Sequence, residues 1–441
     1  MRIMIVTDQY PPMIGGVPNV THGLATDFAE RGHQVWVIAP SYSTRDVKRM
    51  EGQVRVYRFS SFEWPTYREL RIPFLPMVPI RNLIKRVDPD IIHIHSPVVL
   101  GNIAQIMAGG LRKPVVATNH YLPTNMNASM SDDSMFSKPF SDISYAYLVH
   151  FCNRCDFVTA PTETALNLLY EHGLRVPAAA LSNGIDLIKF APAPRDPEIL
   201  RFFALPEDRP LILHVNRLSP EKRVDVLLDA MAKMKNDAHL ALVSSGPAEA
   251  MLRAQVERLK LNDRVSFLGF VREEDLLRLR HASDLFVIPS EADLQSLATM
   301  EAMACGLPVI AANSYALPEL VHHNENGFLF TPSDSDELAS QIDQLIFDKE
   351  CRLRMGEQSL KIIAAHDRNH VLDTWENLYR RLSIEFREAK ELREHLIATR
   401  KYTDQRGAEA RKATRPHIRR TGNIGFDRPT GPKPNKKTKR A

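Results

Sequence analysis

The chain opens with the stretch RIMIVTDQYPPMIGGVPNVTHGLATDFAERGHQVWVI, residues 2–38. Residues 2–7 form a short apolar run, and a loop with two glycines separates this run from a helical pattern over residues 20–31. The pattern ends at Gly32, and a second apolar run follows at residues 35–38. This order of strand, glycine loop, helix and strand predicts one βαβ unit with parallel strands.

The same alternation recurs along the chain. Apolar runs typical of buried strands lie at residues 91–95, 115–118 and 157–160 and, after the turn at Asn183 and Gly184, at residues 211–215, 240–244, 265–268, 285–288 and 309–312. Two such series, separated by a linker near residues 185–195, predict two Rossmann-like, doubly wound α/β domains that face each other across a cleft. Ligands of such sheets bind beyond the carboxyl ends of the strands, so the cleft is the expected site.

Length and charge add an appendage to these two domains. A chain of 441 residues is long for one core. Residues 400–441 lack an apolar period and hold 14 Lys or Arg against three acids, a net charge of +11. The whole chain carries only +4, so the remaining body is acidic. We therefore expect a disordered basic tail at residues 400–441.

Several protein classes are excluded or disfavoured. Four cysteines do not make a disulfide framework, and the N-terminus shows no signal-peptide pattern, which predicts a cytoplasmic protein. Cys152 and Cys155 form a C-x-x-C without the second pair or histidine cluster of a zinc site, so we favour chance over redox or metal use. No stretch reaches the roughly 20 apolar residues of a spanning helix. A nucleotide-cofactor oxidoreductase would show G-x-G-x-x-G after its first strand, where this chain has GGVPNV.

The first chemically informative cluster is HVNRLSPEKRVDVLLDAM, residues 214–231. A predicted strand runs into a loop that carries Arg217 and Lys222 just before a helix. Two cations beside the free N–H groups of a helix N-terminus suit a diphosphate. An ordinary pair of solvated loop charges is an equally good interpretation of these residues alone.

The second cluster is SEADLQSLATMEAMACGLPVIAANSYALPELV, residues 290–321. Asp293 and Glu301 lie eight residues apart. If the chain turns into a helix at residues 296–298, the amides there point at an anion, and the two carboxylates can bind vicinal hydroxyls of a sugar and a ribose. The alternative is that these acids only stabilise the helix dipole.

Six motifs together resemble one known family. They are GGV (15–17), HIHSP (93–97), SNGID (182–186), NRLSPEK (216–222), VSFLGFV (265–271) and E-AMA-GLPVIA (301–311). In this order, over residues 1–385, they resemble the family 4 retaining glycosyltransferases of the GT-B fold. The resemblance implies an acceptor-binding N-terminal domain at residues 1–185 and a nucleotide-sugar-binding domain at residues 186–365. C-terminal helices at residues 366–399 are expected to cross back to the N-terminal domain.

The resemblance also implies roles for individual residues. Arg217 and Lys222 match the diphosphate-binding pair of the family. Asp293 stands where a glutamate usually contacts the donor sugar, and Glu301 matches the acid that holds the ribose hydroxyls. His120, in VATNHYLP, matches the histidine beside the reacting sugar, although a histidine that merely caps a strand end fits the sequence as well.

Backbone groups complete the expected donor site. Gly15 and Gly16 match the glycine loop that approaches the phosphates, where a side chain would block the backbone. Ser296 and Leu297 would supply amides at the start of the helix. The catalytic set implied by the resemblance is His120, Asp293, Arg217 and Lys222.

The chain departs from the family pattern at three places. Asp293 is shorter than the usual glutamate, Asn216 replaces the glycine expected before Arg217, and LQSL at residues 294–297 replaces the usual F-G-L-P. These differences bear on the identity of the donor sugar more than on activity, because Arg217, Lys222 and Glu301 are retained.

The expected reaction is transfer of a hexose from a UDP- or GDP-sugar, with retention at the anomeric carbon and through an oxocarbenium-like state. Cationic side chains and loop amides stabilise the leaving diphosphate, so the resemblance implies no metal and no other cofactor. The D-x-D sequences at residues 88–90 and 334–336 are interpreted as a strand start and a helix cap. A GT-B epimerase or phosphorylase shares this architecture and stays an alternative, which is distinguished by whether donor is consumed only in the presence of acceptor.

The expected partners are the nucleotide-sugar donor, a sugar or lipid acceptor and an anionic membrane surface. Besides the tail, the stretch at residues 58–86 combines aromatic and basic side chains that suit a headgroup region: Trp64, Tyr67, Phe74, Met77, Arg68, Arg71, Arg81, Lys85 and Arg86. A long loop packed on its own domain is the plainer interpretation. A nucleic-acid-binding protein is disfavoured, because the tail lacks interleaved aromatics and the body is acidic. The localisation expected is cytoplasmic, with peripheral attachment to the inner face of the membrane.

Overall fold

The computed structural model describes residues 1–64, 67–123 and 137–413. The chain divides into two compact units, residues 1–386 and residues 387–441. The first unit contains both predicted α/β series. The described part of the second unit, residues 387–413, is helical.

The first sheet has eight strands in the order β10-β9-β8-β7-β1-β2-β4-β3, with a separate two-stranded hairpin of β5 and β6. The strands are β1 (Arg2–Val6), β2 (Gln34–Pro40), β3 (Val47–Glu51), β4 (Val54–Phe59), β5 (Ser61–Trp64), β6 (Tyr67–Pro73), β7 (Ile91–Ile94), β8 (Val115–Thr118), β9 (Phe157–Ala160) and β10 (Ala178–Ala180). All neighbours pair in parallel except the edge strand β3, which is antiparallel to β4.

The second sheet has six parallel strands in the order β13-β12-β11-β14-β15-β16. They are β11 (Leu211–Val215), β12 (His239–Val243), β13 (Val265–Gly269), β14 (Leu285–Ile288), β15 (Val309–Ala312) and β16 (Gly327–Phe330). Numbered within the sheet, this order is 3-2-1-4-5-6, the doubly wound order. The strands are apolar on both faces because helices cover both sides.

Thirteen α-helices connect and cover the strands in the described part of the chain. They are α1 (Gly16–Glu30), α2 (Met77–Val87), α3 (Val99–Leu111), α4 (Ser137–Cys152), α5 (Glu163–Glu171), α6 (Pro197–Phe202), α7 (Val224–Lys233), α8 (Glu249–Arg258), α9 (Glu273–Ala282), α10 (Leu297–Ala304), α11 (Ser335–Phe347), α12 (Lys349–Ile363) and α13 (Arg368–Ala413). Short 3₁₀ turns lie at Pro220–Lys222, Leu317–Glu319 and Ala364–His366. Within the described ranges, no helix is long and apolar enough to span a bilayer.

Helix α13 begins in the C-terminal part of the chain but packs on the first sheet. Trp375, Tyr379 and Leu382 are buried in the same apolar cluster as Phe28 of α1 and Val37 of β2. The guanidinium of Arg368, at the start of this helix, donates hydrogen bonds to both carboxylate oxygens of Asp27. The first sheet therefore obtains part of one covering layer from the end of the chain.

Two expectations about local structure need correction. Residues 400–413 continue helix α13, although we expected disorder from residue 400. Eight of its 14 residues are Ala, Arg or Lys, which favour a helix without any apolar period. Arg71 was expected to face a headgroup region, but it is buried and donates to Glu63 and to Ser61 Oγ. The side chains of Trp64, Tyr67 and Arg68, and residues 414–441, lie outside the described residues.

Candidate active site

The carboxyl edge of the second sheet contains a crevice at the point where its strand order reverses. The chain proceeds outward from β11 to β12 and β13 on one side, and from β14 to β15 and β16 on the other. The loops that follow β11 and β14 therefore diverge. These two loops carry Lys222 and Asp293, which sequence analysis placed in the donor site.

Lys222 and Asp293 form an ion pair in this crevice. Lys222 Nζ lies 3.0 Å from Asp293 Oδ1 and 3.3 Å from the carbonyl oxygen of Ala292, and both side chains are largely buried. Asp293 Oδ2 is buried and has no hydrogen-bond partner among the described residues. The carboxylate thus keeps one unused acceptor where solvent is excluded, and such an acceptor suits a ligand hydroxyl.

A buried histidine lies behind this pair. His214, on β11, donates from Nδ1 to the carbonyl oxygen of Val287 on β14 at 2.9 Å, and its Nε2 has no partner among the residues described. Burial lowers the pKa of His214 to about 4. The ring is therefore neutral at pH 7 and adds no charge to the Lys222–Asp293 pair.

Helix α10 starts where the sequence predicted it. Ser296 is its N-cap, and the Ser296 hydroxyl oxygen accepts from the Thr299 backbone N–H at 3.3 Å and from the Thr299 hydroxyl at 2.8 Å. The first backbone N–H groups of a helix, here from Leu297 onward, have no partner inside the helix. They give this end of the helix a positive potential.

The N-terminus of α1, from the first sheet, meets this helix start. Gly16 is the first residue of α1, and a Cβ atom placed on Gly16 would lie 4.0 Å from Leu297 Cδ1 of α10. Gly15 is the N-cap of α1. Two helix N-termini, one from each sheet, therefore come together, which concentrates N–H groups and positive potential at one place.

Glu301 lies one turn further along α10, and its carboxylate receives a hydrogen bond from Arg280 of α9. Arg280 is fully buried and its guanidinium lies 5.4 Å from the centre of the Phe190 ring. Burial raises the pKa of Glu301, and the positive charge of Arg280 opposes this rise. Arg280 was not singled out from the sequence, because no motif marks a cation on the neighbouring helix.

Arg217 occupies the loop after β11 with an exposed side chain. Its backbone N–H donates to Asn216 Oδ1 at 2.9 Å, which is a contact that a glycine at position 216 would not make. The loop after β12 presses against the same segment, since Leu218 N–H donates to Ser245 O at 3.1 Å. A Cβ on Gly246 would lie 2.2 Å from Leu218 O, so only glycine fits there.

His120 follows β8 at the carboxyl edge of the first sheet. Its Nε2 lies 3.0 Å from Nδ1 of His95, and the planes of the two rings differ by 10°. Burial lowers the pKa of His120 to about 4, so the ring is neutral at pH 7. The buried His95 therefore holds His120 in place.

Asp8 fixes the loop that leads from β1 to Gly15. Its carboxylate accepts from the backbone N–H groups of Leu100 and Gly101, at 2.9 and 3.4 Å, and from the Ser96 hydroxyl at 3.0 Å. Burial raises the pKa of Asp8 to about 6. The sequence offered a clue to this contact, since Asp8 and Ser96 both directly follow predicted strands.

Hydrogen bonds also join the loop after β14 to the first domain. Gln295 Nε2 donates to Pro161 O at 3.2 Å, and its Oε1 accepts from Asn183 N–H at 2.9 Å. The Thr162 hydroxyl donates to Leu294 O at 2.8 Å. Gln295 belongs to the LQSL segment, so one departure from the family pattern forms a contact between the two domains.

The predicted site residues therefore fall into two groups. The first group comprises the Lys222–Asp293 pair in the crevice, Leu297 and Glu301 of α10 with its N-cap Ser296, Gly15 and Gly16 at the start of α1, and Arg217 in the loop after β11. The second is His120, at the edge of the first sheet. Within the ranges that the structure describes, no group of three His, Cys, Asp or Glu side chains is placed to hold a metal ion. Cys152 and Cys155 are buried free thiols.

Comparison with protein-family models gives two matches that together span most of the chain. Residues 14–189 match the model described as Glycosyltransferase Family 4, and residues 196–362 match the model described as Glycosyl transferases group 1. The boundary between the matches lies in the linker between the two sheets.

Individual relatives agree with these matches. The chain is 29% identical over 340 residues to a GDP-mannose-dependent alpha-mannosyltransferase of Mycolicibacterium smegmatis, covering 75% of this chain and 84% of the relative. It is 26% identical over 343 residues to the alpha-monoglucosyldiacylglycerol synthase of Streptococcus pneumoniae, covering 75% of each. Its fold is similar to that of sucrose-phosphate synthase from Thermosynechococcus elongatus, with a TM-score of 0.73 at 22% identity over 86% of this chain and 98% of the other.

Proposed function

The chain belongs to the family 4 glycosyltransferases of the GT-B fold, and from this membership we propose that it transfers a hexose, with retention, from a UDP- or GDP-sugar to an acceptor hydroxyl. The observation that carries the donor assignment is the meeting of two helix N-termini beside the Lys222–Asp293 pair. A diphosphate carries the negative charge that this arrangement of N–H groups attracts. The unused Asp293 Oδ2 is the acceptor for a hydroxyl of the donor sugar.

In the proposed reaction, the bond between the anomeric carbon and the diphosphate oxygen breaks and a bond to the acceptor oxygen forms on the same face. The acceptor proton goes to the departing phosphate oxygen, which is the base on that face. Lys222, Arg217 and the amides of Leu297 and Gly16 stabilise the charge that develops on the leaving group. No metal takes part in this scheme.

Donor binding requires an exchange of partners in the C-terminal half of the site. Lys222 is held by Asp293 before the donor arrives, so its ammonium has to share its three donors between the carboxylate and a phosphate. Glu301 keeps Arg280 on one side and offers its other oxygen to the ribose hydroxyls. Because Glu301 binds the ribose through its other oxygen, the buried Arg280 stays paired with Glu301 throughout the reaction.

We place the acceptor at a membrane surface, on the side of the first domain that carries α2. Leu75 and Val78 are 70% and 67% exposed, and Phe74 and Met77 beside them are also exposed. Arg81, Lys85 and Arg86 follow on the exposed part of the same helix. Apolar side chains next to cations suit the headgroup region of an anionic bilayer. The lipid-linked product named for the S. pneumoniae relative supports a lipid acceptor.

The donor proposal is tested by incubating the full chain with UDP- and GDP-sugars and following thermal stabilisation and donor consumption. One nucleotide series should raise the melting temperature, and the matching sugar nucleotide should be consumed only when an acceptor is supplied. Consumption without acceptor, with an epimerised sugar as the product, would identify an epimerase instead. Phosphate-dependent turnover would identify a phosphorylase.

The membrane proposal is tested by sedimentation with anionic and neutral vesicles. The double change Leu75→Ser and Val78→Ser should weaken binding to anionic vesicles, whereas Phe347→Ser, which removes an exposed ring from α11, should not. Deletion of residues 400–441 measures the share of the basic tail, at about 1 kcal/mol per basic residue near the surface at most. Equal vesicle binding by all four proteins would refute attachment through α2 and through the tail.

A further inference from the structure

Three histidines form a column at the carboxyl edge of the first sheet. His93 lies on β7, His95 follows that strand, and His120 follows the neighbouring strand β8. The centres of the His93 and His95 rings are 3.9 Å apart, and those of His95 and His120 are 5.2 Å apart. HIHSP was quoted as a motif, but the sequence assigned no role to its histidines.

The inner end of this column is tied to the last helix. His93 Nε2 lies 2.6 Å from Thr118 Oγ1, and His93 Nδ1 lies 2.6 Å from the hydroxyl of Tyr379 on α13. The ring of Trp375, also on α13, lies 4.7 Å from that of His93. Both His93 and Tyr379 are fully buried, so this end of the column is fixed by contacts on each side.

The hydrogen-bond partners of the middle ring, His95, determine which nitrogens of His95 and His120 carry hydrogen. His95 is buried, its Nδ1 faces Nε2 of His120, and its own Nε2 has no partner among the described residues. If His120 donated this hydrogen bond, His95 would carry its hydrogen on Nε2, as a buried N–H without an acceptor. Such orphaned donors are rare in folded proteins. The opposite arrangement leaves only a bare ring nitrogen at that position, with His95 donating from Nδ1.

We propose that His95 is a positioning residue that donates from Nδ1 to Nε2 of His120 and thereby fixes His120 as the Nδ1–H tautomer. The part that concerns the reaction rests on the proposed function of His120 beside the reacting sugar. His120 then acts as a fixed hydrogen-bond donor to the substrate and transfers no proton. A 180° rotation of the ring would place Cδ2 where the Nδ1–H donor is needed, and the bond from His95 to Nε2 prevents this.

The tautomer is measured directly by nitrogen NMR of the full chain labelled with ¹⁵N-histidine at pH 7, with His120→Gln used to assign the ring. The expected result for the unmodified protein is a protonated Nδ1 and a bare Nε2 in His120. A protonated Nε2 in His120 would overturn the proposal, whatever the activity of the enzyme. This readout needs neither donor nor acceptor.

The kinetic test compares three changes at one position. Asn places an N–H donor the same number of bonds from Cα as Nδ1 of histidine, whereas Gln places it one bond further and Phe keeps only the ring. We expect His95→Asn to keep the kcat within a few-fold, and His95→Phe and His95→Gln to lower kcat by about 10- to 100-fold with little change in donor KM. Equal kcat values in the Asn and Phe variants would refute positioning by the hydrogen bond.

Two further variants separate the possible failures. His239 is a buried histidine of the second sheet, bonded to Ser266 Oγ at 2.9 Å, and His239→Phe controls for the loss of a buried imidazole, with kcat unchanged. His120→Ala tests the proposed function itself. Full activity in His120→Ala would remove His120 from the reaction while the NMR result still stood, so the two failures are distinguishable.

Discussion

The two halves of the site are held together by different forces. Around the donor crevice, Lys222 pairs with Asp293 and Arg280 with Glu301, so formal charges neutralise one another. At the edge of the first sheet, His120 is held by a neighbouring imidazole, and burial lowers its pKa so that it carries no charge at pH 7. One half is a set of ion pairs and the other is a column of neutral rings.

This difference suits the ligands that we propose for the two halves, a diphosphate for the crevice and a sugar for the edge of the first sheet. A diphosphate brings negative charge into the crevice, so charges that are already paired have to exchange partners when it binds. A sugar brings hydroxyl groups, and a neutral donor in a fixed orientation binds them without any charge reorganisation. The same contrast predicts different sensitivities to mutation and to pH in the two halves.

The largest effect is expected for Lys222→Met. This change removes the proposed phosphate ligand and leaves the Asp293 carboxylate buried without its partner. It should raise the activation free energy that corresponds to kcat/KM by about 2 to 5 kcal/mol. It should also lower the unfolding free energy by about 3 to 5 kcal/mol. The double change Lys222→Met and Asp293→Asn should recover stability but not activity. Initial rates and urea unfolding measure the two quantities.

A matched control for Lys222 is Lys233, which pairs with Asp336 on the surface at 2.7 Å. Lys233→Met should change stability by less than about 1 kcal/mol and leave the rate unaltered. Near-normal catalysis by the Lys222 variant would show that Lys222 does not bind the diphosphate. The ion pairs around the crevice would then have no role in neutralising the leaving group.

Arg217→Ala sharpens the same comparison because Arg217 is exposed before the donor binds. We expect the activation free energy that corresponds to kcat/KM to rise by about 1.5 to 3 kcal/mol. The unfolding free energy should change by no more than about 0.5 kcal/mol. Arg258→Ala, an exposed arginine at the end of α8, is the control. A loss of stability as large as the loss of rate would identify Arg217 as a structural residue.

The two acids of the crevice should respond differently. Asp293→Ala should reduce turnover strongly without weakening the binding of free UDP or GDP, because it frees Lys222 from its partner. Glu301→Ala should weaken both by about 1.5 to 3 kcal/mol, since it removes a ribose ligand and leaves Arg280 unpaired. Isothermal titration beside initial rates measures this. An equal loss of nucleotide affinity in both variants would show that Asp293 does not bind the donor sugar and only stabilises the helix dipole.

The smallest effect concerns pH. The folded-state pKa values of His120 and His214 are about 4, below the ordinary value, so their contribution to stability is present above pH 6.5 and is lost as the pH falls towards 4. Each should cost about 1 kcal/mol between pH 6.5 and 5.5. Asp8, with its pKa raised to about 6, acts in the opposite direction over part of this window.

Urea midpoints at pH 7.0 and 5.5 test this prediction with the variants His120→Gln and His214→Gln. Each change should reduce the pH dependence of the midpoint relative to the unmodified protein. An unchanged dependence in both site variants would mean that these rings titrate normally.

Sequence reasoning succeeded where the determinants are local. The two doubly wound sheets follow from short apolar runs and the glycines between them, and α10 begins at the residues 296–298 where the sequence suggested a helix start. Helical residues 400–413 were missed because the apolar period was given more weight than intrinsic propensity. The correct predictions and the error at residues 400–413 both concern local sequence, and neither depends on contacts between distant residues.

The partners of the site residues could not be predicted in this way. Lys222 and Asp293 are 71 positions apart, and Tyr379 and His93 are 286 apart. Such pairs depend on which strands become neighbours and on the side of the sheet that a late helix covers. The burial of Arg71 likewise depends on the hairpin of β5 and β6, where a cation that seemed exposed finds an acid and a hydroxyl.

The return of helix α13 to the first sheet has a consequence for synthesis of the chain. The strands of the first sheet end at Ala180, but Trp375, Tyr379 and Leu382, which complete its apolar cluster, are about 200 residues later. At ribosomal rates of about 5 to 20 residues per second, the first sheet waits on the order of 10 to 40 s with Phe28 and its neighbours exposed. Throughout that time the nascent first domain presents an uncovered apolar face. Molecular chaperones that bind exposed apolar surfaces can therefore bind the first domain until the last helix leaves the ribosome.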